Sequence, residues 1–346
     1  MNTKKSHQKP TLQDIAAIAG VSVSTVSHVM NGTAKISGST KARVIDAANS
    51  LGYCPTNESS TRLLRQDRKI IGVIVQDIKN EFYAACAASV LSCADTAKYT
   101  VILYDCRHDR RREENFITEM IYQRASGLII FGGANDDDLI ELANQRGISV
   151  VLANRYMDGF SSVMFANSKS MRELIQRLYN AGRRKFLYLT ETHNQVEQQS
   201  IQDRKDGFCL GMIDNQIPST DYFVISDTRL QMNKVKMAKA VLEEYVSVHG
   251  MNFDTVLSCS DLITLGAMKY MSKLGYRIPE DIWVVGYDDI TVAALAYPSL
   301  STVHLDTDRL GEEAFLLLSE MLLSENYKPK QIMIENTIIS RKSAPL

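Results

Sequence analysis

The 346-residue chain is long enough for two to three domains, and its 45% hydrophobic and 23% charged residues match ordinary globular proteins, which excludes collagen-like, coiled-coil and disordered classes. Its formal charge of -1 is an average over two opposite parts: residues 1–70 carry +6 and the remainder -7. That split points to a small basic module suited to a polyanion, joined to an acidic body.

In chain order, residues 1–10 are basic and polar where a secretory signal would be apolar, so a disordered leader and a cytoplasmic protein are expected. No stretch approaches the roughly 18 apolar residues of a membrane span, so no membrane partner is expected. The six cysteines are scattered without a CxxC or a Cys/His cluster, which argues against a metal site, a disulfide framework or a cofactor.

Thr11-Leu12-Gln13-Asp14 has the form of a capping box, which starts a helix through Ile15, Ala16, Ile18 and Ala19 as far as Gly20. Ser22 then caps a second helix through Val26 and Val29. Two helices crossing through a short turn require apolar residues at Ile15, Ala19, Val21, Val26 and Val29, a small one at Ala16 and a flexible one at Gly20, and every requirement is met. This is a DNA-binding helix-turn-helix. The outward face of its second helix, Val23, Ser24, Thr25, Ser27 and His28, would enter the major groove, with Ser22 beside a phosphate. Asn31-Gly32 turns into a third helix opened by Ser37 or Ser39 and ended by Gly52. The expected divisions are a headpiece at 11–55 and a polar, basic linker at 56–69.

From Ile70 short apolar runs alternate with helical periods, in about nine β/α units, too many for one doubly wound sheet and suited to two. The expected fold class is therefore α/β, a three-helix headpiece on a core (70–346) of two doubly wound parallel-sheet subdomains, roughly 70–165 and 166–300, with the C-terminal segment crossing back between them. A ligand would sit where loops at the strands' carboxyl ends meet. No catalytic set emerges: Gly132-Gly133 reads as a plain strand exit, and Asp288-Asp289 suits an acceptor for vicinal sugar hydroxyls better than an acid/base pair.

Thr11 to Ala16, Ala19-Gly20-Val21-Ser22, Thr25-Val26-Ser27, Gly52-Tyr53-Cys54-Pro55, Arg204-Lys205-Asp206-Gly207-Phe208, Ile278-Pro279-Glu280-Asp281-Ile282 and Val284 to Asp289 together resemble the LacI/GalR family of bacterial transcriptional regulators. The resemblance runs from residue 11 to about 342. It implies a homodimer whose headpieces bind a pseudo-palindromic operator and whose periplasmic-binding-protein-like core holds a small-molecule effector, a sugar or related metabolite, so that the protein is a repressor and not an enzyme. Matching residue by residue, it implies DNA contacts from Thr11, Leu12, Ser22, Val23, Ser24, Thr25, Ser27, His28, Asn31 and Ser37, and a hinge leucine inserted in the minor groove. Counting from Pro55 puts Arg62 at the hinge position and counting back from Ile71 puts Leu63 there; Leu63 is the residue assigned. For the effector it implies Arg204 and Asp288 as the clasp and Phe82 and Tyr83 at the mouth, with Phe131, Asn154, Arg155, Ser260 and Leu305 on pocket-facing loops. His28 stands where an arginine is usual, Ser260 where an asparagine is common and Ala166 where an aspartate is frequent, so the ligand does not transfer from a relative. A stand-alone sugar-binding module and a sugar-metabolism enzyme are the competing readings.

Overall fold

The computed structural model describes residues 10–31, 36–51, 69–133, 137–192, 199–324 and 326–346. The expected leader up to residue 9, the side chain of Asn31, Gly32, residues 52–55 and the linker with Arg62 and Leu63 lie outside the described residues.

Three helices, α1 (Leu12–Ala19), α2 (Val23–Asn31) and α3 (Gly38–Ser50), share one small core. Both halves of the capping box form: Thr11 N donates to Asp14 Oδ2 at 2.8 Å and Asp14 N to Thr11 Oγ1 at 3.4 Å. The Thr11 hydroxyl, donating to Asp14 Oδ2 at 2.7 Å, and the Thr11 N–H lower the Asp14 carboxyl pKa below its usual value. α1 stops at Gly20, whose φ of 63° is left-handed and which tolerates that geometry because it lacks a Cβ. Ser22 Oγ accepts from Thr25 N at 3.1 Å and Ser37 Oγ from Thr40 N at 3.3 Å, so each serine caps the helix that follows it. Ile15, Ala16, Ala19, Val26 and Val29 are buried, and Val21 packs against them half-buried.

The remaining chain forms two six-stranded sheets. The first has the order β11-β5-β4-β3-β1-β2, all parallel, from β1 (Ile70–Val75), β2 (Thr100–Asp105), β3 (Gly127–Phe131), β4 (Ser149–Ala153), β5 (Ser161–Phe165) and β11 (Gln331–Ile334). The second is β12-β10-β9-β8-β6-β7, from β6 (Phe186–Glu191), β7 (Tyr222–Asp227), β8 (Thr255–Ser258), β9 (Trp283–Asp288), β10 (Ser301–His304) and β12 (Thr337–Ile339), parallel except for β12. β1, β3, β6 and β8 are buried almost end to end, which is why they read as continuous apolar runs. Around the first sheet lie α4 (Glu81–Thr96), α5 (Arg110–Tyr122), α6 (Asp137–Gln145) and α12 (Thr307–Leu323); with the second go α7 (Asn167–Asn180), α8 (Gln199–Asp214), α9 (Lys234–His249), α10 (Asp261–Lys273) and the short α11 (Thr291–Leu295).

The chain passes between the sheets three times, after β5, after β10 and between β11 and β12. The second sheet therefore continues past residue 300 into β10. The strand β5 is absent from the alternation read in the sequence because Ser161 and Ser162 hide its apolar pattern; both serines are nonetheless fully buried. Tertiary partners make Ser161 tolerable there, since its hydroxyl meets Tyr327 Oη at 2.8 Å and accepts from Lys330 N at 3.2 Å.

Candidate functional site

Both sheets carry the order 2-1-3-4-5 in their parallel part, so each has a crevice at the carboxyl ends of its strands. The crevices face each other across a cleft of about 440 Å³. The first sheet contributes Asp77 after β1, Phe82 and Tyr83 at the start of α4, His108 after β2 and Asn154 after β4; the second contributes Glu191, Arg204, Lys234, Ser260 and Asp288.

Arg204 is the centre of the second wall. It is 4% exposed, its Nη1 donates to Asp288 Oδ1 at 3.0 Å and to Cys259 O at 2.5 Å, its Nε to Asn167 Oδ1 at 3.4 Å, and its guanidinium carbon lies 4.1 Å from the ring centroid of Tyr287. Burial works against its charge, but Asp288 and the neighbouring groups more than offset this and raise its pKa. For Asp288 the balance is reversed: burial exceeds the pull of Arg204 and Lys234 and lifts its carboxyl to about 6. Asp288 also holds φ at 113° and Asp289 at 60°, left-handed values that cost a non-glycine residue energy and that cluster at binding sites. Ser260 Oγ is buried with no hydrogen-bond partner in the described structure, and it lines the cleft.

Behind this clasp, Tyr287 to Asp289 touch all three crossings. The Tyr287 hydroxyl meets Asn167 Oδ1 at 3.0 Å just after the first, and Asn336 Nδ2 at 3.1 Å within the third. At the second crossing, Leu305 N donates to Asp288 O at 3.4 Å, and the preceding His304 Nδ1 lies 3.1 Å from Asp289 Oδ2. Across the cleft's rim Thr291 donates through its N–H to Glu81 Oε1 at 2.8 Å, and Tyr156 N donates to Gln199 Oε1 at 2.8 Å.

Of the residues expected at the effector, Phe82, Tyr83, Asn154, Arg204, Ser260 and Asp288 are brought together in the cleft, and Arg155 lines an adjoining chamber that also shares Asn154. Phe131 and Leu305 are corrections. Phe131 ends the central strand β3 with no exposure and Leu305 is 1% exposed; both are packed into the hydrophobic core and neither lines the cleft. Gly133 is also more than a strand exit, because its φ is 130° and an added Cβ would lie 2.7 Å from Arg155 Nη1.

The sequence reading missed Glu191, Lys234 and His108. Glu191 and Lys234 form a buried ion pair at 2.5 Å. Burial disfavours the Lys234 charge, but Glu191 outweighs it and raises the pKa. Glu191 follows a strand that the sequence shows plainly, so the carboxyl-end rule could have found it. Lys234 opens a helix after a 3-10 turn, and no local signal marks it.

The expected DNA residues fall on one module. Thr11, Ser22, Val23, Ser24, His28 and Ser37 are exposed, and Leu12, Thr25 and Ser27 are half-buried. Val23, Ser24, Ser27 and His28 follow the spacing of one helix face. Among the described residues no helix is long and apolar enough to cross a membrane.

Residues 11–56 match the family described as bacterial regulatory proteins, lacI family, and residues 175–344 match the periplasmic binding protein-like domain. The chain is similar to the HTH-type transcriptional regulator RegA of Clostridium saccharobutylicum, 27% identical with 96% of this chain and 98% of that protein aligned. It is equally similar to the HTH-type transcriptional repressor PurR of Yersinia pestis, 27% identical over 96% of each chain. Among solved structures, a transcriptional regulator CelR–cellobiose complex superposes with a TM-score of 0.71 at 25% identity, covering 97% of this chain and 100% of that one. With a capped helix-turn-helix ahead of a two-sheet core, the chain joins a DNA-binding domain of the lacI type to a periplasmic-binding-protein-like domain and is a DNA-binding transcriptional regulator.

Proposed function

We propose that this regulator is a cytoplasmic repressor that binds its operator as a homodimer and releases or grips it according to an effector in the inter-sheet cleft. The effector is a small polar metabolite of the carbohydrate class. The headpiece at 11–55 carries the DNA contacts assigned to Thr11, Leu12, Ser22, Val23, Ser24, Thr25, Ser27, His28, Asn31 and Ser37, and the 56–69 segment supplies Leu63 as the minor-groove wedge.

The observation that carries the effector reading is the buried Arg204–Asp288 pair at the cleft, one cation and one acceptor whose supports reach every crossing between the sheets. A planar guanidinium with several donors beside a carboxylate suits adjacent hydroxyls, which both donate and accept. A ligand contacting both walls binds one relative orientation of the sheets more tightly than the other, so it shifts their populations, and the headpieces of the dimer move with them. The cellobiose bound by the similar CelR and the repressor name of the similar PurR support the same assignment.

Gel-shift and footprinting assays on promoter DNA, with and without a sugar panel, test this. A protected pseudo-palindrome whose occupancy responds to one sugar is the expected result. Sequence-specific binding that no panel member alters, with Arg204→Ala behaving as wild type, overturns the effector assignment.

A further inference from the structure

The two sheets repeat one strand order, 2-1-3-4-5, so β1 and β6 hold the first place in their subdomains and β4 and β9 the fourth. Two hydrogen bonds across the rim of the cleft obey the same repeat. Glu81 is the first residue of α4, the helix after β1, and its Oε1 accepts from Thr291 N at 2.8 Å. Gln199 is the first residue of α8, the helix after β6, and its Oε1 accepts from Tyr156 N at 2.8 Å. Thr291 stands three residues beyond the end of β9, and Tyr156 three beyond the end of β4. Each subdomain therefore offers one acceptor and one donor to the other, from equivalent places.

The backbone that aims the two donors is repeated as well. The residue just after each fourth strand is left-handed without being glycine, Asn154 at φ 58° and Asp289 at φ 60°. Such values cost energy and persist only where the surroundings fix them. In the first subdomain Asn154 N donates to Val163 O at 2.8 Å; in the second, the buried Asp261 accepts through Oδ2 from Ile290 N at 2.9 Å, one residue before Thr291. The two rim bonds differ in chemistry. Glu81 offers a carboxylate and also accepts from Thr291 Oγ1 at 2.5 Å, whereas Gln199 offers a neutral amide to a single donor. A bond to an ionised partner is roughly twice as strong as a neutral one. Neither bond lies in a segment that crosses between the sheets, so each can break while the crossings stay intact.

We propose that these bonds are a matched pair of latches that hold the empty cleft closed, Glu81 being the stronger and Gln199 the weaker. Each forms only when the two subdomains approach in one orientation, so breaking either lowers the population of the closed form and frees the other. An effector contacting both walls then adds to a bias already built into the chain, and the resting operator affinity depends on Glu81 as well as on the ligand. The latches act on the cleft assigned to the effector but are tested with no ligand present, so their failure leaves that assignment standing.

Amide hydrogen exchange of the full-length protein, without ligand or DNA and resolved to single residues by mass spectrometry, reads the opening directly. Glu81→Ala is expected to speed exchange at Tyr156 N–H, which Glu81 does not touch, by about three- to tenfold, and Gln199→Ala to speed it at Thr291 N–H by a smaller factor. Glu81→Gln, which keeps an acceptor, is expected to restore most of the protection at Tyr156. Ile290 N–H, bonded within the second subdomain, is expected to exchange at the wild-type rate in every variant. Should Glu81→Ala fail to fold, Gln199→Ala gives the same reading at Thr291. The proposal is overturned if each variant affects only its own partner, or if Tyr156 and Thr291 N–H are unprotected in the wild-type protein. It is also overturned if Ile290 N–H speeds up equally, because the second subdomain has then loosened and the cleft has not opened.

Discussion

The headpiece and the core solve the problem of placing polar residues in opposite ways. In the headpiece the capping bonds are local: Thr11 with Asp14, Ser22 with Thr25 and Ser37 with Thr40 lie three residues apart, and the serine and valine at the start of α2 stay exposed beside them. In the core the decisive bonds are remote: Arg204 meets Asp288 across 84 residues and Tyr287 meets Asn167 across 120. Local bonds make a module whose reading face depends on its own sequence. Remote bonds make a wall that exists only once the second subdomain has folded, and the first subdomain supplies the wall facing it, an arrangement on which a ligand bridging the two can act.

Variants that act on one region alone test the separation, and Arg204→Ala has the largest expected effect. Leaving Asp288 buried without its cation costs about 3–5 kcal/mol of core stability and abolishes the effector response, while operator binding at low temperature is retained; titration and gel shift read the two separately. Equal loss of both would show that Arg204 serves the fold alone. Next is Ala16→Leu: Ala16 is 7% exposed between α1 and its neighbours, so overpacking costs about 1–3 kcal/mol and removes DNA binding, with ligand affinity unchanged.

Asp261 tests the core by pH. It is fully buried, its Oδ1 accepts from Thr302 Oγ1 at 2.7 Å and its Oδ2 from Ile290 N at 2.9 Å, and burial, with Asp288 and Asp289 nearby, lifts its carboxyl to about 8. Folding raises this pKa above the unfolded value near about 4, so the native state holds the proton. The stability it contributes is full below about pH 4 and is lost as pH rises through about 8. Asp261→Asn, whose Oδ1 can still accept from Ile290 N and whose Nδ2 can donate to Thr302 Oγ1, should therefore melt progressively higher relative to wild type from pH 5 to about pH 8; parallel melting curves would refute a proton on Asp261 at neutral pH. Effector affinity should fall below about pH 6 as Asp288 takes up its proton.

Smaller effects should follow from Ser24→Ala and Tyr287→Phe. The first should cost about 1 kcal/mol of operator preference with non-specific affinity unchanged in competition binding. Removing the Tyr287 hydroxyl should weaken the coupling between effector and operator by about 0.5–2 kcal/mol while each ligand alone binds normally. A normal coupling energy would show that the crossings do not transmit through Tyr287.

Caps, a left-handed glycine and a period of 3.6 belong to short stretches of chain, so the sequence by itself determined the headpiece helices, their buried residues and their outward face. It also determined the strands that are buried on both sides, and it placed Arg204 and Asp288, through the family resemblance, where the cleft forms. Tertiary structure alone decided the rest. β5 holds a buried serine, Ser161, that bonds to Tyr327 and Lys330, Phe131 and Leu305 turn into the core, and Lys234 reaches Glu191 from 43 residues away. The direction a side chain takes and the charge it meets depend on which distant segments pack beside it, and no local pattern encodes that contact.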